Sequence, residues 1–325
     1  MTQTLAIVGA GRVGRALGRR LHELGWQIGA VVTRSNVSAR AAVRAIGAGM
    51  PFGRLTSRVM AADVVLISTP DSAIHSTATA LAELCRQGCL GKIVLHTSGA
   101  LDSSELAPLA RAGAGTGSLH PMQTFSGRRP PDLEGSIFAV EGGARALKAA
   151  RRICRQLGGV AVRLTAASKP AYHAAGSLAS PHILTLIEFA TRLWMSLGFT
   201  RRQAVGALLT LTRQTLDNFE SLGPNAAWTG PLSRADYATI RLHVQALPNY
   251  PAEYRDAYEA ITRLAVEVLA GGSLTVRSQL ERVLSRRRKE DIIVPELGDP
   301  NGRVEPRAGG AKLLTDQFRI PRGNP

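Results

Sequence analysis

Short apolar runs alternate with amphipathic stretches over the first half of the chain. The run Val64-Val65-Leu66-Ile67 is continuous, which is typical of a strand buried on both faces of a parallel sheet. Segments such as 14–24 and 144–157 instead repeat apolar residues at helical spacing. The alternation predicts an α/β domain over residues 1–165, with a doubly wound, mostly parallel sheet. The predicted strands are 5–8, 29–33, 64–68, 93–96, 117–120, 137–141 and 160–164.

The strand pattern stops after Thr165, and helical periodicity continues to about residue 285. We therefore predict an all-helical second domain over residues 166–285, and a flexible basic tail over residues 286–325, where periodicity fails. The expected helix boundaries are a start at Ser168 and Pro170, a kink at Pro181, a second start at Thr200 and a break at Gly223-Pro224.

The formal net charge of +16 raises the question of nucleic-acid binding. Of the 40 basic residues, 35 are arginine, and they are scattered along the chain without interleaved aromatic residues. This distribution resembles a codon bias more than a phosphate-binding face, so we expect no nucleic-acid partner. A positive field would still attract an anionic cofactor or a small acid.

Composition narrows the remaining classes of protein. The 45% apolar fraction excludes wholesale disorder, and no uncharged apolar stretch is long enough to span a membrane. The three cysteines, Cys85, Cys89 and Cys154, fit neither a disulfide framework nor a zinc site, so no metal is expected. The chain shows no basic-then-apolar leader, and we expect a cytoplasmic protein.

A glycine-rich turn follows the first predicted strand. The sequence Gly9-Ala10-Gly11-Arg12-Val13-Gly14 has the G-x-G-x-x-G spacing and leads directly into a predicted helix. Glycines at these positions permit a tight turn, close approach of a pyrophosphate and close packing of helix on strand, while the helix start offers free N–H groups. Against the alternative of a turn that binds nothing, this context favours a dinucleotide-binding (Rossmann) domain, with residues 9–14 at the cofactor.

The end of the second predicted strand indicates which dinucleotide is bound. Sites that prefer NAD place a carboxylate there to bind the ribose 2′-hydroxyl, whereas this chain has Arg34 and Ser35. Arg34 can pair with a 2′-phosphate and Ser35 can donate a further hydrogen bond, so NADP is the predicted cofactor. The alternative is that Arg34 is one of many solvated arginines.

Polar and turn residues end three of the central strands. Ligands of open parallel sheets bind outside the carboxyl ends of the strands. We predict that Thr69 and Pro70 line the nicotinamide ribose, and that Ser98 and His120 face the substrate. The alternative is that each of these residues only stabilises its turn and contacts no ligand.

The first helix of the second half carries titratable side chains at a four-residue spacing. Lys169, His173 and Ser177 lie within roughly 80° of one another on one helix face. Lysine and histidine can release a proton near neutral pH and arginine cannot, so Lys169 or His173 is the predicted proton donor to a carbonyl, with Ser177 orienting the substrate. A solvated lysine beside a packed histidine is the alternative.

A loop further along the chain contains Arg234 and Asp236. Arg234 could bind a substrate carboxylate through two parallel hydrogen bonds. An internal pair between Arg234 and Asp236 that only fixes the loop is equally compatible with the sequence.

Taken together, five motifs resemble a family of bacterial Rossmann-like oxidoreductases whose C-terminal half is known only as a domain of unknown function. The motifs are GAGRVG at 9–14, HTSGAL at 96–101, GSLHPMQTF at 117–125, K-x-x-YHAA at 169–175 and TGPLSRAD at 229–236. The chain is more distantly similar to ketopantoate reductase, prephenate dehydrogenase and pyrroline-5-carboxylate reductase. It departs from the family pattern at Ser180, where asparagine is expected before Pro181.

The resemblance implies an all-helical C-terminal domain like that of 6-phosphogluconate dehydrogenase, a homodimer, and a small-acid substrate in a cleft between the two domains. It also implies Lys169 and His173 as catalytic residues. We therefore expect an NADPH-dependent reductase of a small 2-keto acid similar to ketopantoate. The alternatives are an NADP-responsive regulatory protein without turnover, and an enzyme acting on a cyclic acid or an imine.

Overall fold

The computed structural model describes residues 3–85, 89–126 and 130–285. These residues fall into two compact units, one ending at Arg201 and the other beginning at Arg202. All the strands of the described residues lie in the first unit, which is an α/β structure, and the second unit is helical.

The first unit is built on one eight-stranded sheet with the order β3-β2-β1-β4-β5-β6-β7-β8. Every neighbouring pair is parallel except β6 and β7, which are antiparallel. The strands are β1 (Thr4–Val8), β2 (Gln27–Val32), β3 (Met50–Phe52), β4 (Val64–Ile67), β5 (Ile93–His96), β6 (Gly115–Pro121), β7 (Ile137–Gly142) and β8 (Val160–Arg163).

Helices cover both faces of this sheet because successive side chains of a strand point to opposite sides. Leu5 and Ile7 of β1 belong to one buried cluster, and Ala6 and Val8 belong to the other. The first face is covered by α1 (Arg12–Glu23), α2 (Asn36–Ile46) and α5 (Ala144–Gln156), and the second by α3 (Ile74–Leu84) and α4 (Ala107–Arg111).

This architecture confirms the predicted α/β fold and all seven predicted strands, with ends that differ by at most two residues. Strand β3 was not predicted from the sequence, because it has only three residues and includes Pro51. It also did not foresee the antiparallel β6–β7 pair. The described residues of that connection contain no helix, and a strand that returns without a crossover helix pairs antiparallel.

Two helices complete the first unit. They are α6 (Lys169–Ser177) and α7 (Ile183–Ser196), joined by a π-helical turn, Leu178–His182, that contains the predicted kink residue Pro181. Pro170 lies in the first turn of α6, as predicted. Ser168 lies at the N-cap position of α6, as predicted, but its side chain makes no capping bond there. Its hydroxyl donates back to the Thr165 carbonyl oxygen, and Thr165 caps the preceding short turn, Ala166–Ser168.

The described residues of the second unit form four main helices, which are α8 (Arg201–Ala227), α9 (Tyr237–Ala246), α10 (Ala252–Val268) and α11 (Leu274–Ser285). The predicted start of α8 after Thr200 is confirmed, and so is its break, because Gly223 has a non-helical φ of 76°. A small apolar cluster holds α9, α10 and α11 together, and it includes Ile240, Val266 and Leu280.

Residues 166–201 therefore belong to the same compact unit as the sheet, although they are helical. The division into domains at residue 165 stays a prediction, and the predicted tail, 286–325, lies outside the described residues. Within the described ranges, no helix combines the length and apolar composition that crossing a bilayer requires.

Candidate active site at the carboxyl edge of the sheet

The glycine turn after β1 has the close backbone contacts that its sequence requires. Gly9 has φ +82°, and a Cβ added there would lie 2.5 Å from the amide nitrogen of Thr69. A Cβ on Gly14 would lie 3.2 Å from both the Gly9 oxygen and the Ile7 side chain. Glycine is needed at position 9 for its conformation and its contacts, and at position 14 so that α1 can pack against β1.

The start of α1 has free backbone N–H groups. Gly11 precedes the helix and offers no capping side chain, and a Cβ there would meet only the Gly9 oxygen at 3.8 Å. Opposite this turn, the Thr69 hydroxyl is buried without a hydrogen-bond partner among the described residues. Open space at Gly11, unpaired N–H groups and an unsatisfied hydroxyl together fit a bound pyrophosphate and ribose.

The two residues predicted to recognise a 2′-phosphate differ in their contacts. Arg34 is exposed and makes no hydrogen bond or ion pair with any described residue. Ser35 caps α2, because its hydroxyl accepts from the Ser38 amide at 3.2 Å and donates to the Ser38 hydroxyl at 3.0 Å. Contact of Arg34 and Ser35 with a cofactor stays a prediction.

The loop after β5 is held by the side chain of Ser98. Its hydroxyl donates to Asp71 Oδ2 at 2.7 Å and accepts from the amides of Ala100 and Leu101 at 3.2 and 3.0 Å. These bonds use the hydrogen and both lone pairs of the hydroxyl. Ser98 therefore fixes the loop in this structure, and its predicted contact with substrate stays a prediction.

Lys169 lies behind this loop with no exposed surface. Its Nζ donates to the Ser98 carbonyl oxygen at 3.0 Å and to the Ser118 hydroxyl at 2.8 Å. Burial lowers the pKa of the lysine, opposed by the nearby carboxylates of Glu141, Asp102 and Asp71. Lys169 thus joins the loop after β5 and the middle of β6 to the start of α6.

Two histidines and a tyrosine form a cluster beside the loop, which we call the histidine cluster: His120, Tyr172 and His173. The Tyr172 hydroxyl is 3.0 Å from His120 Nδ1, and the His120 ring makes edge contacts with the other two rings at 5.6 Å. His173 is exposed and His120 is partly exposed. Of the two predicted proton donors, only His173 presents its side chain to solvent.

Burial shifts the titration of this cluster and of its neighbour His96. The pKa of His120 falls to about 4, chiefly through burial and then through the charges of His173 and Lys169, so its ring is neutral near pH 7. Burial raises the pKa of Tyr172 to about 12. The neutral His120–Tyr172 pair therefore carries two polar hydrogens, one from the imidazole and one from the hydroxyl. One of them bridges the two side chains, and the other can be donated to a neighbouring molecule by either His120 or Tyr172.

Acid is expected to destabilise the protein through its buried histidines. Burial lowers the pKa of both His96 and His120 to about 4, from the usual histidine value of 6.5. Between about pH 6.5 and pH 4 the unfolded chain then binds more protons than the folded one, so stability falls as the pH falls. Each shift contributes about 3 kcal/mol to the free energy of unfolding, fully present above pH 6.5.

Urea unfolding at several pH values measures this dependence. Replacing His96 with glutamine should flatten the curve between pH 6.5 and 4, whereas the same change at the exposed His182 should leave it unchanged. Equal slopes in all three proteins would contradict the account.

Gly99 leaves room for the histidine cluster. A Cβ at this position would lie 2.5 Å from His173 Cδ2 and 2.8 Å from His120 Nε2. Gly99→Ala is therefore expected to displace both rings and to lower turnover about tenfold or more, with little change in cofactor affinity. Steady-state kinetics and cofactor titration test this, with Gly206→Ala as control, since nothing lies within 4 Å of a Cβ there. Normal turnover in the Gly99 variant would contradict it.

The other predicted substrate residues are not part of this cluster. The Ser177 hydroxyl donates to the His173 carbonyl oxygen of its own helix at 3.1 Å. Arg234 ends a short turn of the second unit, and its side chain makes no hydrogen bond or ion pair with a described residue. Asp236 caps α9 by accepting from the Thr239 amide at 3.1 Å, and the alternative ion pair between the Asp236 carboxylate and Arg234 is not present in this structure. The substrate roles of Ser177 and Arg234 stay predictions.

Two groups in the site were not predicted from the sequence. Tyr172 is three residues after Lys169 and therefore lies on the same face of the helix. It was not predicted because only four-residue steps were counted. Asp71 follows the predicted ribose residues directly, but its bond to Ser98 joins residues 27 positions apart, which no local pattern specifies.

Comparison with known proteins agrees with this structure. Residues 2–121 match the model of a Rossmann-like domain, and residues 136–265 match a domain of unknown function (DUF2520). No curated protein matches the sequence.

Several solved structures share the fold, all at low sequence identity. A candidate NADP oxidoreductase from Bacteroides fragilis is 23% identical, with a TM-score of 0.66 over 82% of this chain and 98% of that one. An imine reductase from Pseudomonas sp. is 19% identical, with a TM-score of 0.58 over 87% and 100%. A reductive aminase from Aspergillus terreus, solved with NADPH and ethyl levulinate, is 16% identical, with a TM-score of 0.59 over 87% and 99%.

These matches confirm the resemblance drawn from the sequence motifs. The fold is that of NADP-dependent oxidoreductases and imine reductases.

Proposed function

We propose that this protein is an NADPH-dependent reductase of a small molecule with a C=O or C=N bond. The observation that carries the proposal is the arrangement within the first unit. An uncapped glycine turn, with the unpaired Thr69 hydroxyl beside it, lies at the same edge of the sheet as the histidine cluster. A dinucleotide site beside side chains that can donate a proton suits hydride transfer coupled to proton transfer.

The chain's own residues would hold the cofactor at defined places. The backbone of residues 9–14 would bind the pyrophosphate, Arg34 and Ser35 the 2′-phosphate, and Thr69 and Pro70 the nicotinamide ribose. When bound, NADPH supplies the hydride. Among these residues, Thr69 gives the clearest sign of a ligand, because its hydroxyl is buried without a hydrogen-bond partner among the described residues.

Proton donation belongs to the histidine cluster in this proposal. His120 can donate from Nε2 while Nδ1 takes a hydrogen from the Tyr172 hydroxyl 3.0 Å away, and the exposed His173 can donate directly. Lys169 has no exposed surface, so it acts through the Ser98 loop that it holds. Of the two donors predicted from sequence, we therefore favour His173, with Lys169 as a positioning residue.

The first substrate class to consider is a 2-keto acid similar to ketopantoate, with Arg234 on its carboxylate. The second is an imine, and Asp71 favours it. The Asp71 carboxylate is exposed, accepts from Ser98 at 2.7 Å, and lies next to the proposed ribose residues. A carboxylate at that position would attract a protonated imine and repel a substrate carboxylate.

A panel of keto acids and cyclic imines, each followed by NADPH consumption, tests the proposal. Turnover of a keto acid that Arg234→Gln weakens through KM supports the first class. Turnover of an imine that Asp71→Asn weakens supports the second. Tight NADPH binding with inertness towards the whole panel would instead favour a regulatory protein.

We also propose a homodimer. Helix α8 exposes large apolar side chains along its length, namely Leu211, Leu216, Phe219 and Leu222. Exposed apolar surface of this extent is typical of an interface, and a second copy of the chain is the partner that the family resemblance implies. Light scattering on the purified protein should give twice the chain mass of 34.5 kDa. A mass of one chain at all concentrations would contradict the dimer.

A further inference from the structure

The end of β3 lies directly against the turn that begins α2. The Thr33 amide donates to the Phe52 carbonyl at 3.0 Å, and the Gly53 amide donates to Asn36 Oδ1 at 2.8 Å. A Cβ on Gly53 would lie 2.6 Å from the Asn36 amide nitrogen and 2.9 Å from the Ser35 carbonyl carbon. The backbone that carries residue 54 is thus held beside the backbone that carries residue 34.

Both of these neighbouring positions are arginine. Arg34 and Arg54 are exposed, and neither makes a hydrogen bond or ion pair with a described residue. The segment from residue 24 to residue 62 has five arginines and no aspartate or glutamate. The backbone contacts therefore bring the starting points of two exposed arginine side chains together at the carboxyl edge of the sheet, and this segment contains no acidic residue to neutralise them.

Unpaired cations held together by the fold repel each other, and a dianion between them removes that repulsion. A phosphate monoester carries about −1.5 to −2 charges near pH 7 and offers three oxygens, enough for two guanidinium groups. The 2′-phosphate of NADP(H) is such a group, and the NADP prediction already assigns Arg34 to it.

We propose that Arg54 is a second ligand of the 2′-phosphate and determines, together with Arg34, the choice of NADP over NAD. This inference rests on the proposed function, because it requires a dinucleotide in the glycine turn. Gly53 and Asn36 are its positioning residues, since their contact fixes where the Arg54 side chain begins. Arg54 was not among the cofactor-binding residues predicted from the sequence, because it belongs neither to the glycine motif nor to the end of the second strand.

Binding calorimetry on the full-length protein tests the inference without recourse to activity. NADP⁺, NAD⁺ and 2′,5′-ADP are titrated into the wild type, Arg54→Gln and the control Arg44→Gln. Arg44 is an exposed arginine of the same segment in the last turn of α2, so its removal changes the net charge equally. We expect Arg54→Gln to raise the Kd of NADP⁺ and 2′,5′-ADP about tenfold and to leave that of NAD⁺ unchanged. Arg44→Gln should change none of the three.

The outcomes separate this inference from the proposed function. If the wild type binds NADP⁺ more tightly than NAD⁺ but Arg54→Gln behaves like Arg44→Gln, Arg54 is not a ligand and the proposed function stands. If Arg54→Gln weakens NAD⁺ as much as NADP⁺, the effect does not come from the 2′-phosphate and the inference is overturned. If the wild type binds neither dinucleotide, the proposed function fails and the inference fails with it.

Discussion

Replacing Lys169 with methionine is expected to lower turnover by ~10² or more while leaving the affinity for NADPH within about threefold. Methionine can fill the buried volume, but it cannot donate to the Ser98 carbonyl or the Ser118 hydroxyl, which Nζ reaches at 3.0 and 2.8 Å. The loop that places Gly99 against the histidine cluster then loses its anchor. The loss of these two bonds should also cost about 1–3 kcal/mol of stability.

Steady-state kinetics with the best substrate of the panel measures the effect. Lys148→Met is the matched control, because Lys148 is an exposed lysine of α5. The pH profile separates two roles for Lys169. If Lys169 passes a proton to substrate, its titration sets one limb of the pH profile, and that limb disappears in the variant. If Lys169 is a positioning residue, the variant has a lower kcat but both limbs stay in place. We expect the second result. Unchanged turnover would exclude both roles.

Replacing Gly9 with alanine is expected to lower the affinity for NADPH by about 10². Position 9 has φ +82°, and its added Cβ would meet the Thr69 nitrogen, the Ser68 carbonyl carbon and the Ser68 oxygen at 2.5, 2.7 and 2.8 Å. All three are backbone atoms, so the turn must move away from β4. The loss of two hydrogen bonds to a charged phosphate corresponds to about 3 kcal/mol, or about 100-fold in Kd.

Gly25→Ala provides the control for this change. Gly25 has φ +88°, so alanine there meets the same conformational penalty of about 1–2 kcal/mol, but nothing lies within 4 Å of its added Cβ. We expect that variant to lose stability and to keep its affinity for NADPH. Equal loss of affinity in both variants would show that backbone strain, and not the contact between the turn and β4, explains the result.

The sequence allowed the fold to be predicted well because its signals are local. Continuous apolar runs marked the buried strands, glycine spacing marked the turn after β1, and Gly223 marked the break in α8. The exceptions are also local in origin. Strand β3 has too few residues to show a period, and Ser168 has the composition of a cap although Thr165 does the capping.

The site was predicted less completely because its contacts are distant in sequence. The bonds from Lys169 to Ser118 and Ser98 span 51 and 71 positions, so the helix-face argument could find the lysine but not its burial. Lys169 and His173 share one helix face by their spacing, but Lys169 is buried and His173 is exposed. The closeness of Arg54 to Arg34 likewise depends on strand pairing, which a linear motif does not contain.

The central claim is that a dinucleotide binds at the glycine turn of the first unit. Calorimetric titration of NADPH into the purified full-length protein tests it most directly, followed by a repeat in the presence of saturating 2′,5′-ADP. The account predicts a saturable isotherm with one site per chain that the competitor abolishes. The absence of heat with both NADPH and NADH, at protein concentrations that would detect micromolar binding, would contradict it.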